Sequence, residues 1–253
     1  MDAELSLLQS KLLRSPFDAR DRKFARRAGM VGFDRPELGA HFVPHKRQRR
    51  FQVGPSCFGN TFAFMLGAAF DVKGVECPEL SGTGCWVSGQ MHGQVAFEGN
   101  AVVDPEAGVW PRQVLEACRL WGTPTREAHP EDRPTPASAL EIGESYTVPP
   151  FTYESVDRDW DDFVDAVLQN HVIGFSTGIG QKLIEANEND VLDDLGNEAG
   201  HGLAIDAVSV DRTKLRIVNW WKTRHNGTEP APEHVWITKS VVPRIWEAWI
   251  VHV

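Results

Sequence analysis

The sequence lacks any apolar run of the length that a membrane span requires. Its 253 residues are 42% apolar, but polar and charged residues interrupt every stretch well before the ~18 consecutive apolar positions of a spanning helix. The first residues, Met-Asp-Ala-Glu-Leu-Ser-Leu-Leu, have neither the basic start nor the apolar core of a secretory signal. We therefore expect no membrane association, and a protein that folds where it is made, in the cytoplasm.

Cysteine is also scarce, with one residue each at Cys57, Cys77, Cys85 and Cys118. If Cys57 is a free nucleophile, three cysteines remain, and an odd number does not suggest a disulfide framework. A reducing compartment suits such a chain better than an oxidising one.

Metal-binding motifs are missing as well. None of the nine histidines stands in a His-Glu-x-x-His pair. The six carboxylates between Glu185 and Glu198 lack the ordered register of an EF-hand, so we interpret them as a solvated loop and not as a calcium site. The sequence predicts no metal and no cofactor.

The net charge of −9 is unevenly distributed along the chain. Residues 1–50 hold 12 Lys and Arg against 6 Asp and Glu, whereas the rest holds 14 against 29. A basic arm on an acidic body can bind an anionic partner, or it can dock on its own body. No other part of the chain resembles a nucleic-acid module, so nucleic acid is not the expected partner, and we prefer docking, with assembly of protein partners as the alternative.

A glutamine and a cysteine stand just before an apolar run of helical character, in Gln52-Val-Gly-Pro-Ser-Cys57-Phe-Gly-Asn60. Phe58, Phe62 and later apolar residues fall on one helical face, which places Cys57 in the first turn of a helix. Unpaired N–H groups and the positive end of the helix dipole favour a thiolate there. A small buried core cysteine is the alternative interpretation.

A histidine and an asparagine follow much later in the chain, in Gly200-His201 and in Asn219-Trp220-Trp221. His201 lies 144 positions after Cys57 (201 minus 57), within the roughly 130 to 150 positions that separate nucleophile and histidine in papain-like enzymes. The order Cys, His, Asn and the local contexts resemble the papain-like cysteine peptidases, especially bacterial and phage members with a Gly-Ser-Cys-x-x-Asn context. A core histidine is the alternative interpretation of His201.

The resemblance implies a role for each of these residues. Cys57 would attack an amide carbonyl as a thiolate, His201 would pair with it and protonate the leaving amine, and Asn219 would orient the imidazole. Gln52 and the N–H of Cys57 would form the oxyanion hole. Trp221 matches the tryptophan that shields the Asn–His contact from water in this family.

Three features depart from the family pattern. Gln52 precedes Cys57 by five positions, one fewer than usual. Trp220 replaces a small residue after the asparagine, and Lys222-Thr-Arg replaces a glycine-led turn, so we expect both to narrow the cleft.

The remaining patterns agree with this family's layout. A helix capped by Asp2 is predicted to open the chain, Pro111 to Trp121 is predicted as a helix with proline first and glycine after its end, and Asp159 to Leu168 as an amphipathic helix. Residues 74–110 are uninformative, and residues 125–150 form a proline-rich crossing. Strands are predicted at 172–177, 203–210, 214–220, 234–238 and 248–253.

Together these observations predict an α+β, papain-like two-lobed fold. Residues 1–50 form the basic arm, residues 51–150 a helical lobe with Cys57, and residues 151–253 an antiparallel, barrel-like β lobe with His201 and Asn219. The predicted function is a cysteine peptidase or amide hydrolase acting on peptide or protein substrates. Two alternatives are a structural or binding component of a larger assembly such as a phage virion, and a transferase or peptidoglycan-directed enzyme with the same residues.

Overall fold

The structure is a computed structural model that describes residues 23–24, 39–97, 103–130, 150–223 and 229–253. The predicted N-terminal helix and most of the proline-rich crossing lie outside these residues. In the described parts no helix has the length and apolar character needed to cross a membrane. All four cysteines are free thiols.

Five α-helices are described, besides one short 3-10 helix at Val242–Arg244. They are α1 (Cys57–Lys73), α2 (Gly82–Phe97), α3 (Pro111–Trp121), α4 (Trp160–Leu168) and the short α5 (Gln181–Glu185). Helix α1 packs against α2 and α3 on one side and against the sheet on the other, so it is the element that joins the two parts of the fold. Most of its residues are apolar and buried, as expected for a helix that has protein on both sides.

Helix α1 begins at Cys57, as its sequence predicts. It ends at Lys73 and is followed by Gly74, whose φ of 67° lies in the left-handed region that glycine adopts without strain. Helix α3 has the predicted bounds, with Pro111 in its first turn and Gly122 after its end. Helix α4 begins after Asp159, whose side chain accepts the N–H of Asp161.

Helix α2 is absent from the sequence prediction, because its glycines and the uniform burial of residues 82–90 hide the helical period. Glycine permits close packing here: a Cβ on Gly59 of α1 would lie 2.0 Å from the carbonyl oxygen of Gly82, and a Cβ on Gly89 would lie 2.7 Å from Val114 Cγ2. Residues that look like loop formers in the sequence are therefore contact points between helices.

Eight described strands form one sheet. They are β1 (Ala40–Phe42), β2 (Thr152–Ser155), β3 (Ile173–Ile179), β4 (Val191–Leu192), β5 (Ala199–Ser209), β6 (Lys214–Val218), β7 (His234–Thr238) and β8 (Ile245–His252). The order is β2-β8-β3-β5-β6-β7-β4, with β1 also paired to β5. Every pair is antiparallel except β4 with β7, so the described strands form an open, mostly antiparallel sheet.

Strand β5 begins four residues earlier than the sequence predicts, at Ala199 and not at Leu203. The extra residues pair with the end of β3, where Thr177 faces His201 and Gly178 faces Gly200. His201 therefore lies within the ladder of a central strand. A glycine on each side of a histidine gave no strand signal in the sequence, because glycine is a poor strand former on its own.

The described part of the basic arm docks on the body of the protein. Strand β1 joins the sheet through β5, and Lys23 makes an ion pair with Asp157. The guanidinium of Arg47 donates to both carboxylate oxygens of Asp71, at 3.0 and 2.8 Å. The domain boundary at residue 50 stays a prediction.

Candidate active site

Cys57 is the first residue of α1 and is fully buried. The preceding Ser56 does not cap the helix. Its hydroxyl oxygen accepts from the backbone N–H of Val53 at 3.2 Å and from Asn60 Nδ2 at 3.1 Å, which closes the loop that leads into the helix. No acidic residue lies in the first turn, so nothing there opposes a negative charge on the thiol.

A close backbone approach brings the strand of His201 to the start of this helix. A Cβ on Gly202 would lie 2.9 Å from Cα and 3.0 Å from N of Phe58. Gly202 follows His201, and Phe58 follows Cys57. The absent side chain at position 202 thus lets β5 and the first turn of α1 meet next to both candidate catalytic residues.

Asn219 follows strand β6 and holds the imidazole of His201. Its Oδ1 lies 3.3 Å from His201 Nε2, while its Nδ2 donates to the carbonyl oxygen of Pro232 at 3.4 Å. Its backbone N–H donates to the carbonyl oxygen of Glu233 at 2.9 Å. Both side chains are buried, at 1% exposure for His201 and 0% for Asn219. With Nε2 engaged by Asn219, the other ring nitrogen is left for a separate partner.

Trp221 covers this contact. Its indole stacks on the imidazole of His201 with ring centroids 4.8 Å apart and 27° between the planes. A stacked aromatic ring excludes water from the Asn219 to His201 hydrogen bond, which strengthens it.

Burial lowers the pKa of His201 to about 4, and the hydrogen bond to Asn219 offsets only part of that effect. The ring is therefore neutral at neutral pH. The sequence predicts a thiolate–imidazolium pair, but removing an imidazolium from water opposes that charge distribution in the resting state.

Gln52 lies at the start of the loop that leads into α1. Its backbone N–H donates to the carbonyl oxygen of Trp220 at 3.0 Å, and its side-chain Nε2 donates to the carbonyl oxygen of Gly54 at 3.1 Å. Its Oε1 is buried without a hydrogen-bond partner. The structure thus fixes the backbone of Gln52 to the segment that carries Asn219, and a turn at Gly54, with φ of 57°, accommodates the shortened spacing to Cys57.

Trp220 packs against α1 and is fully buried. Its indole N–H donates to Thr61 Oγ1 at 2.9 Å, and its ring lies 5.4 Å from that of Phe64. This tryptophan therefore occupies the contact between the helix and the segment after Asn219. Thr61, a polar residue one turn after Cys57 in an apolar run, is the signal in the sequence that could have indicated this contact.

A cavity of about 640 Å³ is bordered by Trp220 and Phe64. It opens between residues 46–50, one side of α1, residues 74–80 and Trp220, and neither Cys57, His201 nor Asn219 lines it. Several of the charged groups at its wall are already paired, including Arg47 with Asp71 and Arg50 with Glu79. The described residues therefore give this cavity no defined ligand.

The acidic stretch forms structural contacts. Glu188 accepts the backbone N–H groups of Glu233 at 2.7 Å and of His234 at 3.1 Å, and Asp194 pairs with Arg244. Within the described residues no group of His, Cys, Asp and Glu is arranged to hold a metal ion. The sequence did not indicate that this stretch fixes the segment before β7.

Comparisons with known proteins give a fold and no close relative. No family model matches the chain, and no curated protein matches it. Among solved structures, xylellain, a cysteine protease from Xylella fastidiosa, superposes with a TM-score of 0.70 at 14% identity, over 96% of this chain and 95% of that one. Digestive procathepsin L 3 of Tenebrio molitor larval midgut gives 0.63 at 11% identity, over 99% and 77%. Procathepsin B S9 from Trypanosoma congolense gives 0.63 at 13%, over 98% and 87%.

These likenesses cover nearly the whole chain, at identities that show the fold alone. The chain has a papain-like α+β fold, which confirms the predicted fold class.

Proposed function

We propose that this protein is a cysteine peptidase or related amide hydrolase, with Cys57 as nucleophile, His201 as proton shuttle and Asn219 as the residue that orients His201. One observation carries the proposal. His201 is held by Asn219 and stacked under Trp221. The residue after it, Gly202, lies close to the backbone of Phe58, which follows Cys57. The papain-like fold of the chain supports the same interpretation.

The first half of the reaction is an acyl transfer to sulfur. His201 takes the thiol proton of Cys57 as the sulfur attacks the amide carbonyl carbon, and a tetrahedral oxyanion forms. The imidazolium then gives that proton to the amide nitrogen, the C–N bond breaks, and an amine leaves with a thioester remaining on Cys57. A neutral resting imidazole suits this order, since it is ready to accept a proton.

The second half returns the enzyme to its starting state. Water attacks the thioester carbon while His201 accepts one of its protons. The C–S bond then breaks, the carboxylic acid leaves, and the proton returns to the sulfur. Asn219 keeps Nε2 of His201 engaged throughout, so that the same ring nitrogen serves both halves.

The oxyanion is assigned to Gln52 and the backbone N–H of Cys57. One amide hydrogen of Gln52 is used by the carbonyl oxygen of Gly54, and an amide carries two hydrogens, so the second is available for a substrate oxygen. Losing such a donor typically lowers the rate by ~10²- to 10³-fold. Gln52→Ala should therefore lower kcat far more than it raises KM.

The test pairs turnover with covalent labelling. Wild type, Cys57→Ala and Cys118→Ala are incubated with a mixed peptide library and, separately, with an epoxide inhibitor that alkylates activated thiolates. Cleavage and a single adduct on Cys57 are expected for wild type and for Cys118→Ala, in which a buried free cysteine of α3 is changed. If wild type cleaves no peptide and Cys57 takes no adduct, the proposal is wrong. Transfer of the acyl group to an added amine in place of water would identify a transferase.

A second candidate function rests on the closure of the site. Cys57, His201 and Asn219 are all buried, and none of the three lines the cavity of about 640 Å³. Such closure suits a papain-like domain that serves as a structural or binding part of a larger assembly, such as a phage virion. In that case Cys57→Ala leaves assembly unchanged and wild type shows no hydrolysis, whereas an enzyme loses turnover with the same substitution.

A further inference from the structure

Arg49, in the basic arm, contacts the segments that hold the histidine. Its Nη1 donates to three carbonyl oxygens, those of Trp221 at 3.3 Å, Ala231 at 3.3 Å and Pro232 at 3.2 Å. One guanidinium thus joins two segments of chain that are adjacent in space, residues 219–222 and 231–233. The backbone N–H of Ala231, which donates to the carbonyl oxygen of Lys222 at 3.2 Å, connects the same segments.

The first segment contacts His201 directly, and the second contacts Asn219. Trp221 stacks on its ring, and Asn219 bonds to its Nε2. The Pro232 carbonyl that accepts from Arg49 also accepts from Asn219 Nδ2 at 3.4 Å. A shift of that carbonyl would therefore move the amide that orients the imidazole.

The environment of Arg49 fixes its guanidinium in place. Its side chain is 11% exposed, its Cζ lies 4.9 Å above the ring centroid of Phe51, and its Nε is 3.8 Å from the carboxylate of Glu233. Burial lowers the pKa of Arg49, with Glu233 and Glu188 opposing that shift. A buried cation requires its hydrogen bonds. The guanidinium directs Nη1 at the carbonyl oxygens and Nε towards Glu233, two directions that a lysine ammonium cannot serve at once.

We propose that Arg49 is a positioning residue, which holds Asn219 and Trp221 in place around His201 through the carbonyls of Trp221, Ala231 and Pro232. Its catalytic consequence rests on the proposed function, while its effect on His201 does not. The basic arm is on this view a built-in part of the site, and its charge at position 49 serves the protein itself.

The test compares Arg49→Gln and Arg49→Lys with the control Arg50→Gln. Arg50 is the next residue, loses the same charge, and makes an ion pair with exposed Glu79, so the control removes only a weak surface contact. Lysine keeps the charge but has no planar fork. Arg49→Lys is therefore expected to fold and to change His201 less than Arg49→Gln does.

The first readout needs no turnover. The chemical shifts of the His201 ring protons are followed by NMR as a function of pH, in each variant that retains a cooperative thermal transition. In Arg49→Gln, water should reach the ring once Trp221 and Asn219 are released, and the pKa of His201 should rise from about 4 towards the ordinary 6.5, with no such rise in Arg50→Gln. An unchanged His201 titration in both Arg49 variants overturns the proposal, whatever the activity.

The second readout is kinetic. A misplacement on the order of 1 Å can lower turnover by about a hundredfold, so kcat should fall by about ten- to a hundredfold in Arg49→Gln with KM little changed. Added guanidinium at millimolar concentration should partly restore kcat to Arg49→Ala, which a merely structural loss would not allow. If wild type hydrolyses no peptide and the NMR shift is present, the proposed function fails while the positioning role stands.

Discussion

The indole N–H of Trp220 donates to the hydroxyl of Thr61 at 2.9 Å, and that hydroxyl donates in turn to the carbonyl oxygen of Cys57 at 3.0 Å. This chain of two hydrogen bonds runs from the residue after Asn219 to the first residue of α1. It lies in a fully buried contact, where each donor has no water to replace its partner.

Thr61→Val tests this link. Valine keeps the shape of threonine but leaves the Trp220 N–H without an acceptor, and an unsatisfied buried donor costs about 1–3 kcal/mol of unfolding free energy. In a chain of this size that corresponds to a lower Tm by about 2–4 °C per kcal/mol, measured by thermal denaturation.

Thr123→Val is the matched control for that measurement. Thr123 is equally buried, but its hydroxyl has no hydrogen-bond partner, so its removal should leave Tm unchanged or raise it. Equal losses in the two variants would contradict a specific role for the Thr61 hydroxyl.

The buried imidazole of His201 predicts a dependence of stability on pH. Its pKa is lowered from the ordinary value of 6.5 to about 4 in the folded protein, so between these values the unfolded chain binds a proton that the folded chain does not. Stability from this group is therefore complete above about pH 6.5 and is lost as pH falls to about 4, by roughly 3 kcal/mol in all.

Urea unfolding of wild type and His201→Gln at several pH values between 7 and 4 measures this contribution. The variant has no titrating ring and should lose less stability on acidification, while the remaining carboxylates affect both proteins alike. Parallel pH profiles would show that His201 is not buried as a neutral base.

The rates at which the four cysteines react with iodoacetamide should not follow their solvent exposure. Cys77 is the most exposed of them, but burial raises its pKa to about 11, which suppresses its thiolate. Cys57 has a helix N-terminus, and in the proposed site an imidazole base, to favour its thiolate. Cys57, Cys85 and Cys118 are all buried, so burial does not distinguish them. Peptide mapping at neutral pH should find Cys57 modified first, because only Cys57 has these two sources of thiolate stabilisation.

A faster reaction at Cys77 would exclude an activated Cys57. The same mapping in His201→Gln separates the two sources of activation, since the helix end is unchanged there. Its Cys57 should react more slowly than in wild type but still ahead of the two core cysteines.

Gly202→Ala should separate the two halves of the proposed site. The added methyl would lie 2.9 Å from Phe58 Cα and 3.0 Å from its N, and backbone atoms cannot turn away as a side chain can. Overpacking of this kind typically costs about 1–3 kcal/mol, and here the displacement falls between His201 and Cys57. Peptide turnover should fall by more than the loss of folded protein accounts for, as measured at a temperature well below Tm.

The bounds of the helices show what local pattern can and cannot supply. Helix α3 is predictable because proline opens it and glycine follows its end, and both signals are local. Helix α2 was not predicted, because Gly82 and Gly89 are present for close contacts with Gly59 and Val114, which lie on other helices. A helix surrounded by protein needs no polar face, so the period that identifies helices from sequence is absent.

Some residues of the candidate site could be proposed from the sequence, and Arg49 could not. Cys57, His201 and Asn219 were proposed from their order and spacing, and the structure lays His201 against Asn219. Arg49 gave no signal, since its three acceptors are backbone carbonyls more than 170 positions away, and carbonyls are the same in every residue. From the sequence, Arg49 could be described only as one of the basic residues of the arm.

The position of β8 has a consequence for how the protein is made. This strand, residues 245–252, lies between β2 and β3 and hydrogen-bonds to both, while β3 in turn pairs with the strand of His201. During synthesis the earlier strands emerge first and wait with an open edge at β3 until residues 245–252 leave the ribosome. The sheet that carries His201 is therefore incomplete until residues 245–252 have been added, although Cys57, His201 and Asn219 all precede them in the chain.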